Sequence, residues 1–242
     1  MDSFFTGLVL ADINGPLIRN IVSLRCSEEL FDDLSDDPED WAIAQQAELN
    51  AKPPTYTSPV PIIRRPFEES AWMEAIEFPF RQFTASRYSD GSYGVWYGAD
   101  TAETSVYETV YHWRYGLLAD AGFDGLVRTG KHESITSERK IYRVHCHAAL
   151  LDLRPRVDRY PELIDPENYG FTQNIGARIH AEGHPGLTTR SARCTGDTFA
   201  VFNPSVLSKP AIQSYLTYRL SEHGVAVYRG GTGQQGLWFT IP

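Results

Sequence analysis

The stretch RYSDGSYGVWYGADTAETSVYETVYHW, residues 87–113, predicts a β-strand that leads through a capped turn into an α-helix. Aromatic and β-branched residues over 93–99 favour the strand. Asp100 is placed to cap a helix over 101–119, with Glu103 as its capping-box partner. Four apolar residues recur at helical spacing and are expected to form the buried side of this helix: Val106, Val110, Trp113 and Leu117. A chain built around such a unit combines a sheet with flanking helices.

Other segments repeat these patterns on both sides of the unit. Residues 171–182 have helical periodicity. Six further segments have the length and residue types of strands: 17–25, 122–128, 139–153, 198–202, 224–229 and 236–241. The alternation predicts a mixed α/β (α+β) fold with many short strands.

A proline-rich segment separates an acidic N-terminal region from the rest of the chain. KPPTYTSPVPIIRRP, residues 52–66, contains five prolines, which favour an extended linker. The region before it, CSEELFDDLSDDPED, is acidic and has helical periodicity. We therefore predict an N-terminal extension at 1–60 that packs on a catalytic core domain at 61–242.

The charge and cysteine content narrow the classes of partner. The 242 residues include 31 acidic and 22 basic side chains, a net charge of −9. This balance disfavours bulk binding to nucleic acid or anionic membrane, since both need a basic face. No apolar run reaches the ~18 residues of a membrane-spanning helix. Cys26, Cys146 and Cys194 form no CxxC pair, which favours reduced thiols in a cytoplasmic protein.

Motifs for metals and activated nucleophiles are sparse. His145 and His147 share one face of a strand, but no second pair at ligand spacing accompanies them and HExxH is absent. We therefore expect structural histidines and no metal. Neither a nucleophile elbow nor a glycine-rich phosphate loop occurs, and RGGTGQQG at 229–236 is typical of a hairpin loop.

Three residues of the strand–helix unit have complementary chemistry. Arg87 supplies a fork for phosphate oxygens, and the ring of Tyr97 offers a flat surface to an aromatic base. Glu108 lies off the apolar stripe, and a carboxylate can stabilise positive charge at an anomeric carbon. These groups would serve to break the nicotinamide–ribose bond of NAD. In a plainer interpretation, Arg87 and Glu108 are solvated and Tyr97 is a core residue.

The stretch ASRYSDGSYGVWYGADTAETSVYETVYH resembles the central motif of the RES-domain family, toxins of bacterial toxin–antitoxin pairs whose partner is an Xre-type antitoxin. The family pattern places an Arg before a turn, a Tyr at the end of a strand, and a Glu about eleven residues later. Arg87, Tyr97 and Glu108 match these positions.

Three other segments also resemble the family. GARIHAEGHPGLTTRSARCTGDTFAVFNP puts Ser191 at the position of the family's serine, and FTQNIG carries a family-like Gln173. LIRNIVSLR is similar to the first strand, with Arg19 as its leading Arg.

The resemblance implies an ADP-ribosyltransferase-like fold, in which a split mixed β-sheet surrounds an NAD cleft and helices flank the sheet. NAD would be the substrate, and Glu108, Arg87 and Tyr97 would be catalytic. Five residues would bind NAD: Arg87, Tyr97, Ser191, Arg19 and Gln173. An Xre-type antitoxin would cover the cleft.

The acceptor of the ADP-ribosyl group stays open. Water would define an NAD glycohydrolase, inorganic phosphate an NAD phosphorylase, and a protein side chain an ADP-ribosyltransferase. Degradation of NAD is our expectation among the three. A separate interpretation is a non-enzymatic module that uses the same residues to bind a nucleotide or a partner peptide.

Overall fold

The computed structural model of the protein describes residues 2–23, 71–120, 134–230 and 236–242. Its strands within these ranges are β1 (Val9–Val22), β2 (Trp96–Ala99), β3 (Ile135–Asp152), β4 (Gly186–Arg190), β5 (Asp197–Val201), β6 (Leu207–Ser221), β7 (Gly224–Arg229) and β8 (Gly236–Ile241). They form a mixed sheet in the order β1-β2-β5-β4-β3-β6-β7-β8. The helices are α1 (Asp2–Phe5), α2 (Phe78–Arg81), α3 (Ala102–Tyr111) and α4 (Gly170–Ala181). The expected α/β class, a mixed sheet with flanking helices, is confirmed.

The start of α3 differs from the prediction. The Thr101 hydroxyl accepts the backbone N–H of Thr104 at 3.1 Å, so Thr101 caps the helix and the prediction of Asp100 is wrong. The backbone N–H of Asp100 instead donates to the carbonyl of Asp197 at 3.0 Å. Asp100 is therefore held against the start of β5 rather than over the helix end.

The buried side of α3 also departs from the prediction at its far end. Val106, Val110 and Trp113 are buried as expected, but Leu117 is 37% exposed and Leu118 is buried instead. The helix continues beyond α3 as a π-helical segment, His112–Leu118. A π-helix has more residues per turn than an α-helix, which moves the buried position one residue along the chain.

The chain divides into two compact units, the first comprising residues 1–19, 58–108 and 142–211. Within it, β2 pairs antiparallel with β5, and β5 pairs antiparallel with β4. β4 pairs parallel with the end of β3, with Leu151 opposite Leu187. This arrangement places β2, which precedes α3, two strands away from β4.

The core of the first unit lies between β4 and α4. Its buried members include Tyr88, Ile175, Ile179 and Leu187. At Gly176 of α4, a Cβ atom would lie 2.1 Å from the carbonyl oxygen of Tyr88. Only glycine permits this approach, so the helix backbone packs directly on the segment that follows Arg87.

The second unit comprises residues 20–57, 109–141 and 212–242. In its described part, β6 and β7 form an antiparallel hairpin with Ser221 opposite Gly224, and β7 pairs antiparallel with β8. Gly224 has a φ of +105°, which a side chain would strain. Its core contains Leu216, Tyr218, Leu220, Val225 and Val227, all buried.

Most predicted elements are present with small shifts of their ends. The segments at 139–153, 198–202, 224–229 and 236–241 correspond to β3, β5, β7 and β8, and that at 171–182 to α4. The segment at 17–25 overlaps β1, which begins earlier, at Val9. The strand at 122–128 and the boundary between 1–60 and 61–242 lie outside the described residues, so both stay predictions. No helix among the described residues has the length and apolar character needed to cross a membrane.

Candidate active site

Glu108 and Ser191, which lie 83 residues apart in the sequence, meet in the first unit. The Ser191 hydroxyl donates to Oε1 of Glu108 at 2.5 Å. Ser191 follows β4 and is buried, with 5% of its surface exposed. Its backbone N–H donates to the carbonyl of Gly196 at 2.8 Å, which extends the β4–β5 ladder by one residue. The sheet therefore fixes the position of this serine.

The Ser191 hydroxyl has no hydrogen-bonding capacity left for a ligand. Its oxygen accepts the backbone N–H groups of Arg193 at 3.0 Å and Cys194 at 3.2 Å, and its proton goes to Glu108. A hydroxyl offers one donor and two acceptor sites, so all three are used. In this arrangement Ser191 orients one oxygen of the Glu108 carboxylate. The other oxygen makes no hydrogen bond to a described residue.

Tyr97 is fixed by its hydroxyl. This group donates to Oγ of Ser86 at 2.9 Å and accepts the backbone N–H of Tyr88 at 2.9 Å. Burial of the hydroxyl raises the pKa of Tyr97 to about 12, so the side chain is neutral at physiological pH. Tyr97 thus offers an immobilised ring rather than a proton donor in the neutral pH range.

Arg87 holds a neighbouring loop through backbone carbonyls. Its Nη1 donates to the carbonyl oxygens of Asp165 at 2.8 Å and Leu163 at 3.3 Å. Its guanidinium also lies over the ring of Tyr169, 4.5 Å from the centroid. The resemblance assigns Arg87 to NAD. Its Nη1 is already committed to the loop, and Arg87 forms no ion pair with a carboxylate of the described residues.

Arg19, which lies beside Tyr97, has fewer hydrogen-bonding partners than Arg87. Its Nη1 donates to the backbone carbonyl of Tyr97 at 2.8 Å, and its guanidinium lies 5.4 Å from the ring centroid of Trp96. The residue as a whole is partly buried, but Nε is sealed from solvent without a partner. Burial lowers the pKa of Arg19 to about 10. A desolvated guanidinium without a described carboxylate is suited to an anionic ligand.

Gln173 supports the motif from α4 through backbone contacts. Its Nε2 donates to the carbonyl oxygens of Ser86 at 3.0 Å and Ser89 at 3.3 Å. The amide thus braces the turn that contains Arg87. In this geometry Gln173 positions other residues, and its predicted contact with NAD stays a prediction.

The predicted residues fall into two groups within the first unit. Glu108 contacts Ser191, while Arg19 contacts Tyr97. No hydrogen bond among the described residues joins one group to the other. Tyr88 adjoins the second group, since its backbone N–H donates to the Tyr97 hydroxyl at 2.9 Å.

Two buried hydroxyls near this site, those of Tyr88 and Thr189, were not predicted from the sequence. Tyr88 and Thr189 are each 1% exposed, and neither hydroxyl has a hydrogen-bonding partner. Leu187, Thr189 and Ser191 alternate along one face of β4, which runs from the core that contains Tyr88 towards Glu108. Burial raises the pKa of Tyr88 well above its ordinary value. No periodicity or motif signals these roles, although Tyr88 directly follows Arg87.

A cavity of about 290 Å³ lies beside the start of α3. Asp100 and Glu103 line it together with Thr104 and Cys194, and its lining contains no basic side chain. None of the predicted site residues lines this cavity. The lining of the cavity therefore shares no residue with the groups around Glu108 and Arg19.

Metal ligands do not gather in the described part of the chain. No group of three or more His, Cys, Asp or Glu side chains there could hold a metal ion. Cys146 and Cys194 are free thiols, whereas Cys26 lies outside the described residues. Burial raises the pKa of Cys146 to about 11, which keeps that thiol protonated and unreactive.

In comparisons with known proteins, the sequence matches a family model and the structure is similar to a solved structure. A family model described as the RES domain matches residues 62–221. No curated protein matches the sequence. The crystal structure of the M. tuberculosis MbcT–MbcA toxin–antitoxin complex contains a similar chain, at 11% identity and a TM-score of 0.44, with 88% of each chain covered.

Proposed function

This chain belongs to the RES-domain family, and from that premise we propose that it is the toxin of a bacterial toxin–antitoxin pair that cleaves the nicotinamide–ribose bond of NAD. One observation carries the proposal. Ser191 holds one oxygen of the Glu108 carboxylate, and the other oxygen has no hydrogen bond from the described chain. A carboxylate oriented in this way is prepared to act on a ligand rather than to stabilise the fold.

Glu108 would act on the sugar at the moment of bond cleavage. The bond between C1′ and the pyridinium nitrogen breaks, and its electron pair goes to nitrogen, so neutral nicotinamide departs. The ribose carbon becomes electron-deficient, and a carboxylate beside it stabilises this oxocarbenium-like state. An acceptor oxygen then bonds to C1′ and releases its proton to solvent.

Arg19, with Arg87, would bind the diphosphate. Arg19 is partly buried beside Tyr97, with its Nε sealed from solvent, and it has no described carboxylate partner, so a diphosphate would compensate its desolvated charge. Arg87 would add a second contact through nitrogens other than Nη1, which holds the loop carbonyls. The fixed ring of Tyr97 would pack against nicotinamide or its ribose.

We favour degradation of NAD, with water or phosphate as the acceptor. The second candidate is a protein ADP-ribosyltransferase that modifies a metabolic enzyme, and the third is a non-enzymatic nucleotide- or partner-binding module. Membership of the family supports the two enzymatic candidates equally, because the carboxylate serves the bond-breaking step that they share. An Xre-type antitoxin is the proposed partner, and the cytoplasm is the proposed place of action.

The test is release of nicotinamide from NAD by the purified protein. Glu108→Gln keeps the size of the side chain and its ability to accept from Ser191, but removes the charge. We expect it to lower the rate by at least ~100-fold. Glu103→Gln, on the exposed first turn of the same helix, is the matched control and is expected to retain the rate.

Three assay conditions identify the acceptor. ADP-ribose formed in plain buffer indicates water, ADP-ribose 1-phosphate formed in phosphate buffer indicates phosphate, and label transferred from NAD to lysate proteins indicates a protein. Equal rates for wild type and Glu108→Gln would remove Glu108 from the mechanism. NAD binding without turnover in any condition would favour the binding module.

A further inference from the structure

The loop at residues 163–169 precedes α4 in the first unit and is held at both ends by Arg87. Near its start, the carbonyls of Leu163 and Asp165 accept from Nη1 of Arg87 at 3.3 Å and 2.8 Å. At its end, the ring of Tyr169 lies against the same guanidinium, 4.5 Å from the centroid. One arginine thus ties the two ends of this loop together.

A second arginine, Arg193, holds the middle of the loop. Its Nη2 donates to the carbonyl of Pro166 at 2.5 Å. Its backbone N–H donates to the Ser191 hydroxyl at 3.0 Å, which in turn donates to Glu108. The loop therefore reaches from the segment that carries Arg87 to the segment that carries the Glu108–Ser191 pair.

Asp165 shapes the loop internally and lies near both arginines. Its Oδ1 accepts the backbone N–H groups of Glu167 at 2.9 Å and Asn168 at 2.7 Å. These hydrogen bonds hold the pKa of Asp165 below its ordinary value, and the charges of Arg87 and Arg193 lower it further. The ionised carboxylate thus forms a turn and attracts the two guanidinium groups.

The middle of the loop can move between two fixed ends. Leu163 is buried in the core of the first unit, and Phe171 packs against that core. Pro166, Glu167 and Asn168 between them are exposed, so water can replace the arginine at a carbonyl that is released. The closed position of this part depends on hydrogen bonds to arginine, which can break and form again.

We propose that the 163–169 loop is a lid over the predicted NAD site, with Arg87 and Arg193 as its two latches. The proposal rests on the function proposed above, because it takes the ligand to be the diphosphate of NAD. A ligand that contacts both Tyr97 and Glu108 would lie alongside the loop. Opening of the lid would admit it, and a diphosphate bound to the two guanidinium groups would hold them in place and keep the lid closed.

The experiment measures hydrogen exchange at the backbone amides of Glu167 and Asn168 in the full chain. Glu108→Gln is used with NAD so that the substrate stays intact, and wild type is used with inorganic pyrophosphate. At ten times its dissociation constant, a ligand that binds only the closed form should slow exchange at both amides by about tenfold. The amides of β5 should keep their rate. An unchanged rate at both loop amides with both ligands would overturn the proposal.

Arg193→Gln removes one latch but keeps the backbone N–H that holds Ser191. It is expected to speed exchange at the two loop amides about tenfold without ligand, because a hydrogen bond from a charged donor is lost. Arg190→Gln is the matched control, since Arg190 is exposed and pairs with Asp158 at 3.2 Å. It should leave exchange unchanged. Equal rates in the two variants would refute the latch.

Asp165→Asn keeps the test decisive if Arg193→Gln does not fold. It retains an oxygen for the turn but removes the charge that attracts both arginines, so exchange without ligand should again be faster, and an unchanged rate would refute the lid. Release of nicotinamide separates the lid from the function. Release without any change in loop exchange would refute the lid alone. Slower exchange in pyrophosphate without release would support the lid and refute cleavage of NAD.

Discussion

Replacing Tyr88 with phenylalanine is expected to stabilise the protein. The side chain is 1% exposed, and its hydroxyl is buried without a hydrogen bond. An unsatisfied buried hydroxyl costs about 1–3 kcal/mol, and Tyr88→Phe removes it without changing the shape of the ring. We place the gain near the lower end, about 1 kcal/mol, because the unpartnered hydroxyl of Thr189 stays buried nearby. In a chain of this size, that corresponds to roughly 2–4 °C in the unfolding midpoint.

The assay is chemical denaturation, which measures the free energy of unfolding. Tyr142→Phe is the matched control. Tyr142 is also 1% exposed, but its hydroxyl donates to Oε2 of Glu74 at 2.6 Å. Its loss is expected to destabilise the protein by about 1–3 kcal/mol, because a hydrogen bond to a carboxylate disappears. The two variants should therefore shift stability in opposite directions.

The result that refutes this reasoning is a loss of stability in Tyr88→Phe comparable to that in Tyr142→Phe. Thr189 lies close enough to lower the pKa of Tyr88, although the two hydroxyls do not meet hydrogen-bond geometry. A loss in Tyr88→Phe would mean that they do bond in solution. Thr189→Val would then show a similar loss, and the double variant would cost less than the sum.

Two further predictions concern the site and its supporting strands. Ser191→Ala is expected to lower the turnover of NAD by ~10-fold or more with a smaller change in KM, because Glu108 loses its orienting donor; a change confined to KM would argue for direct contact with NAD. Arg154, paired with Asp152 at 2.7 Å, lowers the pKa of that carboxyl. The ion pair therefore contributes stability at pH values above the pKa of an unfolded aspartate, ~3.9. This contribution is lost as the pH falls through the lower pKa of Asp152 in the folded state. Arg154→Gln should therefore lower the free energy of unfolding at pH 7, and its deficit relative to wild type should shrink towards pH 2. A deficit that stays the same at both pH values would contradict this.

Periodicity predicted those parts of the fold that depend on side-chain burial along one element. β7 and β8 have the predicted bounds because each begins at a glycine and continues mostly with β-branched and aromatic residues, which favour strands. The predicted cap at Asp100 and buried Leu117 are wrong because each depends on something outside the local pattern. The backbone N–H of Asp100 donates to a carbonyl at the start of β5, which holds Asp100 away from the end of α3. A π-helical segment moves the buried position from Leu117 to Leu118.

The site could be predicted only where the resemblance fixed the residues. It named Glu108 and Ser191, and the structure brings the two together. The partners of Arg87 and Gln173 could not be predicted, because both side chains bind backbone carbonyls, and a carbonyl is the same in every residue. That Arg19 has no carboxylate partner among the described residues also has no signature in the sequence, since it depends on what the neighbouring strands supply.

The contact between Gly176 and the carbonyl of Tyr88 constrains how this sequence can change. A methyl group at 176 would push α4 away from the turn that contains Arg87, and Gln173 on the same helix would then lose its hold on Ser86 and Ser89. One added carbon atom would disturb three contacts at once. In mutational scanning of α4, every substitution of Gly176 should therefore destabilise the protein. The nearby exposed residues Asn174 and Ala177 should tolerate many substitutions.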